Sequence, residues 1–82
     1  MANITIRLFA VLAERLGRDT EAVDTAEPLT VARLMDLLKS RHPDQARIID
    51  QCRVAVNREF RSADHPITAT DEVAIIPPIS GG

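Results

Sequence analysis

The stretch EVAIIPP, residues 72–78, decides the fold. Four of its first five residues are apolar, which is typical of a strand at the centre of a sheet with both faces covered. The two prolines then end that strand, because proline has no backbone N–H to donate to a neighbouring strand. This stretch therefore predicts a central last strand over residues 72–76 and a segment that leaves the sheet over residues 77–82.

Upstream of this stretch, strand-like and helix-like patterns alternate along the chain. Ile4, Ile6 and Leu8 recur at every second position, which is typical of a half-buried strand. The predicted elements are a strand at residues 3–9, a short helix at 9–16, a weaker strand at 20–26, a long helix at 31–41, a helical turn at 44–51, a strand at 53–56, a turn at 57–59 and an irregular segment at 62–70. A sheet with its main helix packed across one face buries these apolar positions, so this order predicts an α+β fold.

The long helix has the clearest predicted boundaries. Thr30 is a good N-cap, and Leu29 before it can pack against Leu34 in a hydrophobic staple. His42 precedes a proline, which disfavours the helical region, so the helix should end by Arg41. The predicted core consists of the helix residues Leu34 and Leu38 and the strand residues Ile6, Leu8, Val54 and Val56.

Length and composition argue against several classes of function. A chain of 82 residues makes one small domain, with residues 1–76 as its body and residues 77–82 as its tail. The formal net charge of −2 and the presence of only two aromatic residues argue against nucleic-acid binding. No apolar run is long enough to cross a bilayer, and the N-terminus has no secretion signal. Since a single cysteine cannot form an internal disulfide, we expect the chain to be cytoplasmic.

No constellation of side chains predicts a catalytic or metal site. His42 and His65 each lie beside a proline with no metal-ligand spacing around them, and we interpret them as surface or capping residues. Cys52 has no basic cluster near it in sequence and is interpreted as a small buried hydrophobic residue. Asp71 and Glu72 are adjacent, so on a strand they would point to opposite faces. We therefore expect no enzymatic activity from this chain on its own.

The last two residues, Gly81 and Gly82, carry the remaining chemical signal. A glycine pair at the end of a chain is by itself compatible with simple fraying. The prolines at positions 77 and 78 argue against fraying, since they stiffen the exit into an extended spacer that reaches at most ~20 Å. The glycines would then form a slim tip that enters a narrow channel in another protein, with the carboxylate of Gly82 as the reactive group.

Several segments of the chain together resemble one family. They are Leu8-Phe9-Ala10, Glu14, Gly17, Thr30-Val31, Val54-Ala55-Val56-Asn57 and above all DEVAIIPPISGG, residues 71–82. Over nearly its whole length, the chain resembles the small, sulfur-carrying subunits of molybdopterin synthase, which are ubiquitin-like β-grasp proteins. One departure is that Ala69 and Thr70 stand where the family commonly has Asp-Gly, which leaves the type of that turn open.

The resemblance implies a mechanism in which only Gly82 is modified. An adenylyltransferase would convert its carboxylate to a transient acyl-adenylate, and a sulfur donor would then leave a thiocarboxylate, with no cofactor bound. The large catalytic subunit of molybdopterin synthase would use this sulfur to convert cyclic pyranopterin monophosphate to molybdopterin, in a heterotetramer of small and large subunits. Neither a nucleic acid nor a membrane is implied as a partner. The residues expected to contact partners are Phe9, Ile75, Pro77, Pro78, Ile79 and Ser80, with Gly81 needed for access of the tail.

Three alternatives remain open. The chain could be a sulfur carrier for another pathway, such as thiamine or cysteine synthesis. Carriers of the thiamine pathway, however, generally lack counterparts of Phe9-Ala10 and Pro77-Pro78. The chain could also be a ubiquitin-like modifier that is joined to lysines of target proteins, or an interaction module with an inert tail.

Overall fold

The computed structural model describes residues 2–25 and 28–78. Its strands are β1 (Ala2–Leu8), β2 (Thr20–Thr25), β3 (Leu29–Thr30), β4 (Arg53–Val56), β5 (Glu59–Phe60), β6 (Pro66–Ile67) and β7 (Val73–Ile76). Its helices are α1 (Ala10–Leu16), α2 (Val31–Arg41) and α3 (Ala46–Gln51), with a 3-10 turn at Pro43–Gln45 before α3. Among the described residues, no helix is both long and apolar enough to cross a membrane.

Strand β7 lies at the centre of the main sheet, as the apolar run at residues 72–76 predicted. The strand order is β2-β1-β7-β4-β5, with β7 parallel to β1 and antiparallel to β4. The expectation that both faces of β7 are covered is wrong, because Val73 and Ile75 are buried whereas Ala74 and Ile76 are only half-buried. The helical layer covers one face of the sheet, so the outward side chains of β7 reach the surface.

The core lies between this sheet and α2. Leu34 and Leu38 are fully buried, as predicted, and they belong to one hydrophobic cluster. The cluster includes the predicted strand residues Ile6, Leu8, Val54 and Val56, together with Leu12 of α1 and Ile49 of α3. One main helix packed across a mixed sheet is the β-grasp arrangement that the resemblance implied, and it confirms the α+β class.

Local interactions set the boundaries of α2 and the end of α1. The Oγ1 atom of Thr30 accepts a hydrogen bond from the Arg33 N–H at 3.2 Å, which confirms Thr30 as the N-cap. At the other end of α2, the His42 N–H donates to the Leu38 carbonyl at 2.9 Å. Helix α1 ends at Gly17, whose φ of 71° is in the left-handed region that glycine adopts without strain.

The segment at residues 62–70, predicted to be irregular, contains the short strand β6. This strand pairs with β3 immediately before α2, with Leu29 opposite Ile67. The first amide of α2 also finds its partner here, because the Val31 N–H donates to the His65 carbonyl at 3.0 Å. A strand of two residues has no periodicity, so the pairing of β3 with β6 could not be predicted from the sequence pattern.

The turn at Ala69 and Thr70 needs no glycine. The Asp71 N–H donates to the Thr68 carbonyl at 3.1 Å, and the Asp71 carboxylate accepts from the Thr68 N–H at 2.8 Å. Neither Ala69 nor Thr70 has a positive φ. The hydrogen bond from the Thr68 backbone, followed by one from the Asn57 side chain, holds the pKa of Asp71 below its ordinary value.

A buried carboxylate joins β2 to the end of α2. The Glu21 side chain is only 4% exposed, and its two oxygens accept from Arg41 Nη1 at 3.0 Å and from His42 Nε2 at 2.8 Å. Burial by itself raises the pKa of Glu21, but the hydrogen bonds with His42 and Arg41, together with electrostatic attraction to the same two residues, outweigh burial, and the pKa is lowered. His42 therefore caps α2, as interpreted from the sequence, and also fastens this helix to the sheet.

Candidate functional site

The tail leaves the sheet beside the start of α1. Strand β7 runs parallel to β1 with Ile75 opposite Leu8, so residues 76–78 lie next to the beginning of α1. A groove of about 490 Å³, which we call the tail-root groove, is found at this place. It is lined by Phe9, Ala10, Val11, Glu14, Ile76, Pro77 and Pro78. Its apolar side chains are accessible, since Phe9 and Val11 are each 37% exposed.

The backbone is strained where β1 turns into α1. Ala10, the first residue of this helix, has a φ of 52°, a left-handed conformation that residues other than glycine rarely adopt. Phe9 occupies the N-cap position and makes no side-chain hydrogen bond to the helix. Strain of this kind is concentrated at binding and catalytic sites, which makes the tail-root groove a candidate site.

The two prolines of the tail differ in exposure. Pro77 is buried, whereas Pro78 is exposed at the edge of the tail-root groove. Residues 79–82 lie outside the described residues. The roles expected of Ile79 and Ser80 in partner contact, and of Gly81 and Gly82 in the chemistry, therefore stay predictions.

The expectation that Ile75 contacts a partner is wrong. Its side chain is 0% exposed and belongs to the hydrophobic core. The alternation along β7 buries Val73 and Ile75 and leaves Ala74 and Ile76 half-buried towards the opposite face. The apolar run concealed this alternation, because its inward and outward residues are all hydrophobic. Ile76 is thus the accessible apolar residue at the root of the tail.

A second groove, of about 460 Å³, lies on the exposed face of the main sheet. We call it the sheet-face groove. Its apolar lining consists of Phe9, Ala55, Phe60, Ala74 and Ile76, and its rim carries Arg7, Arg58 and Glu72. Phe9 and Ile76 line both grooves, so the two grooves form one continuous surface that ends at the tail.

Phe60 is a docking candidate that the sequence pattern did not single out. It is 50% exposed on β5, where it pairs with Ala55 of β4. The Arg53 guanidinium lies 3.8 Å from the centre of the Phe60 ring, and the Arg7 guanidinium lies 5.2 Å from the centre of the Phe9 ring. These cation–π contacts accompany the exposed rings without burying them. The available signal was that Phe60 is one of only two aromatic residues in the chain.

The described residues include no cluster of metal ligands, and their one cysteine is not activated. Within residues 2–25 and 28–78, no three His, Cys, Asp or Glu residues are arranged to hold a metal ion. Cys52 is half-buried, its thiol donates to the Ile48 carbonyl at 3.2 Å, and burial raises the pKa of this thiol to about 11. A thiol with such a pKa is protonated at neutral pH and is a poor nucleophile. The two grooves offer accessible apolar side chains, which suits them to binding another molecule.

Comparison with known proteins relates the whole chain to one family. The sequence profile of the ThiS family matches residues 6–82. The molybdopterin synthase sulfur carrier subunit of Dictyostelium discoideum is 38% identical, with 94% of this chain and 93% of that protein covered. Small archaeal modifier protein 1 of Haloferax volcanii is 36% identical, with 93% of this chain and 97% of that protein covered. The fold is similar to the crystal structure of SAMP1 from Haloferax volcanii, with a TM-score of 0.82 and a sequence identity of 34%. The comparison covers 99% of this chain and 100% of that one. The chain therefore belongs to the ThiS family.

Proposed function

We propose that this chain is the sulfur carrier subunit of a molybdopterin synthase. The observation that carries the proposal is the position of the tail, which leaves the central strand β7 at Ile76 beside an accessible apolar surface. Because Pro77 and Pro78 follow directly from the central strand, the tail starts from a fixed point beside this surface. The similarity to a molybdopterin synthase sulfur carrier subunit at 38% identity supports the same function.

The proposed chemistry takes place on the carboxylate of Gly82. This carboxylate attacks the α-phosphate of ATP and releases pyrophosphate, which gives an acyl-adenylate. Hydrosulfide-level sulfur from a donor then attacks the acyl carbon, the bond from this carbon to the AMP oxygen breaks, AMP leaves, and a thiocarboxylate remains. Because AMP is the leaving group and sulfur is the nucleophile, no side chain of this chain has to act as an acid or a base. Its contribution is to bind its partners and to position the tail.

Two protein partners follow from this chemistry. An adenylyltransferase supplies the activation step, and the large catalytic subunit of the synthase accepts the loaded tail. Both partners need a surface to hold the body of the carrier while Gly82 is in their active sites. The sheet-face groove and the tail-root groove meet this need, because exposed aromatic side chains such as Phe9 and Phe60 are typical anchors of protein interfaces. We place this reaction in the cytoplasm.

The test is an intact-mass measurement of the purified chain. After incubation with the adenylyltransferase, ATP and a sulfur donor, we expect the mass to rise by about 16 Da, because sulfur replaces one oxygen. The gain should disappear when the large subunit and cyclic pyranopterin monophosphate are added, as molybdopterin forms. A chain whose mass never changes in the presence of all activating components would refute the proposal.

A second candidate function is protein modification. The similarity to small archaeal modifier protein 1 at 36% identity favours it. In that case the activated carboxylate of Gly82 would be transferred to the amino group of a lysine on a target protein. The same mass measurement, made on protein isolated from cells, separates the two functions. A carrier appears as a thiocarboxylate, whereas a modifier appears in larger species that contain an isopeptide bond.

Cys52 is expected to play no part in sulfur transfer. Its thiol is half-buried and bonded to the Ile48 carbonyl, and its raised pKa keeps it protonated. We expect Cys52→Ser to fold and to gain the same mass as the wild-type chain in the activation assay. If Cys52→Ser folds, as judged by circular dichroism, but cannot be loaded with sulfur, then sulfur passes through the cysteine.

A further inference from the structure

We propose that the sheet-face groove docks an acidic surface of the large subunit, with Arg7 and Arg58 binding carboxylates of that partner. This inference rests on the proposed function, since it names the chemistry of the partner that receives the tail. It is carried by two independent observations, the distribution of charge around the groove and the backbone conformation of Arg58.

The sheet-face groove carries positive charge within a chain that is negative overall. Two guanidinium groups, those of Arg7 and Arg58, and one carboxylate, that of Glu72, line the groove, and a third guanidinium, that of Arg53, lies next to it over the Phe60 ring. The formal net charge of the chain is −2. A positive patch of this kind attracts an acidic surface and orients it before contact is made.

The two arginines at this rim are held only loosely by their partners within the chain. The Glu72 carboxylate has Oε2 at 3.8 Å from Arg7 Nη1 and Oε1 at 3.9 Å from Arg58 Nε. Both distances are longer than a hydrogen bond. The side chains of Arg7 and Arg58 are 57% and 87% exposed, so these ion pairs are held only weakly. Both guanidinium groups can therefore exchange Glu72 for a carboxylate that binds through two parallel hydrogen bonds.

The backbone at Arg58 points to the same role. Asn57 and Arg58 form the two-residue turn between β4 and β5, with φ values of 54° and 71°. A hairpin turn with two positive φ values strongly favours glycine at its second position. Here that position holds an arginine, which is strained in the folded state and has few contacts within the chain. Backbone strain at an exposed residue is typical of a position where the side chain is needed for binding.

The rest of the turn is built rigidly, so the Arg58 guanidinium is presented from a fixed base. The Asn57 side chain donates to the Asp71 carboxylate at 3.0 Å and accepts from the Glu72 N–H at 2.9 Å. The Asn57 N–H donates to the Glu72 carbonyl at 2.7 Å. These bonds tie the turn to the start of the central strand β7, next to the sheet-face groove.

The experiment measures association of the carrier with the purified large subunit at about 0.05 M and about 0.5 M salt. At low salt, we expect Arg58→Gly to lower the association rate constant roughly 3- to 10-fold, and Arg7→Gln to lower it by a similar factor. Glu72→Gln should raise the association rate constant, because this substitution removes the carboxylate that competes for both arginines. Arg47→Glu, an exposed charge reversal on α3 in the helical layer, is the control and should leave it close to the wild-type value.

Arg58→Gly also separates binding from folding. Glycine adopts a positive φ without strain, so the melting temperature of this variant should equal or exceed that of the wild type. A variant that is at least as stable and yet binds more slowly cannot be explained by damage to the fold. At 0.5 M salt, where the charges are screened, the wild type and Arg58→Gly should associate at similar rates.

Equal association rates for Arg58→Gly and the wild type at low salt would overturn this inference, as would a wild-type rate that does not depend on salt. Self-association of the free chain that Arg58→Gly abolishes would also overturn it, because the groove would then bind a second copy. In these cases the proposed function stands if the wild type still delivers sulfur. Failure of the wild type both to bind the large subunit and to be loaded with sulfur would overturn the proposed function as well.

Discussion

A chain that lacks Gly82 is expected to fold like the full chain and to lose sulfur transfer completely. In the proposed mechanism the carboxylate of Gly82 is the group that carries sulfur, and its removal shifts the terminal carboxylate back by about 3.5 Å. A displacement of only about 1 Å can cost roughly 100-fold in rate, because the reacting atoms must be held in contact. The measurements are intact mass after activation and single-turnover formation of molybdopterin, with the melting temperature as the check on folding.

Two further variants test whether position or shape of the tip matters. One added residue after Gly82 moves the carboxylate forward and should abolish transfer as completely as the deletion. Gly81→Ala tests shape alone, because it keeps the carboxylate at position 82 and adds a single methyl group. We expect it to slow adenylation or sulfur delivery without changing the melting temperature. Full sulfur transfer by the shortened or the extended chain would contradict the proposed mechanism.

Leu38→Ala is expected to destabilise the fold severely. Leu38 is 0% exposed and lies in the hydrophobic cluster between α2 and the sheet. Replacing a fully buried leucine by alanine costs about 2–5 kcal/mol, since contacts are lost and a cavity remains. A domain of this size has a free energy of unfolding near the lower end of about 5–15 kcal/mol. Urea denaturation should therefore show a variant that is close to unfolded at 37 °C in the absence of partners.

Leu37→Ala provides the comparison on the same helix. Leu37 is half-buried at the edge of the cluster, so truncating it removes less apolar surface from the folded state. We expect its loss of stability to be clearly smaller than that of Leu38→Ala, with the same slope of free energy against urea. Equal losses for the two variants would mean that α2 does not pack on the sheet through the Leu38 face.

Much of the fold could be predicted because its signals are local. The alternation of Ile4, Ile6 and Leu8 predicted β1, and Thr30 predicted the start of α2 through a side-chain hydrogen bond that spans three residues. The apolar run at residues 72–76 predicted the strand β7, and the prolines at 77 and 78 predicted its end. In each case a few neighbouring residues contain the whole physical cause.

The candidate site could be predicted only in part. The tail and Phe9 were found from the sequence, whereas Phe60 and Ile76 were not. Phe9, Phe60 and Ile76 are far apart along the chain and meet because β1, β4, β5 and β7 lie side by side in the sheet. The order of strands in a sheet depends on pairing between distant segments, and no local pattern records it.

The sequence by itself determined the order of the elements along the chain, the end of β7 at the two prolines, the buried stripe of α2 and the glycine tail, because each depends on residues close together in the chain. The tertiary structure alone decided which side chains of β7 face outward. It buries Ile75 in the core and leaves Ile76 accessible at the surface. It also decided that Glu21 is buried, since the Arg41 and His42 that stabilise its charge come from the far end of α2. Burial is a property of what packs against a residue, and that is settled only when distant parts of the chain come together.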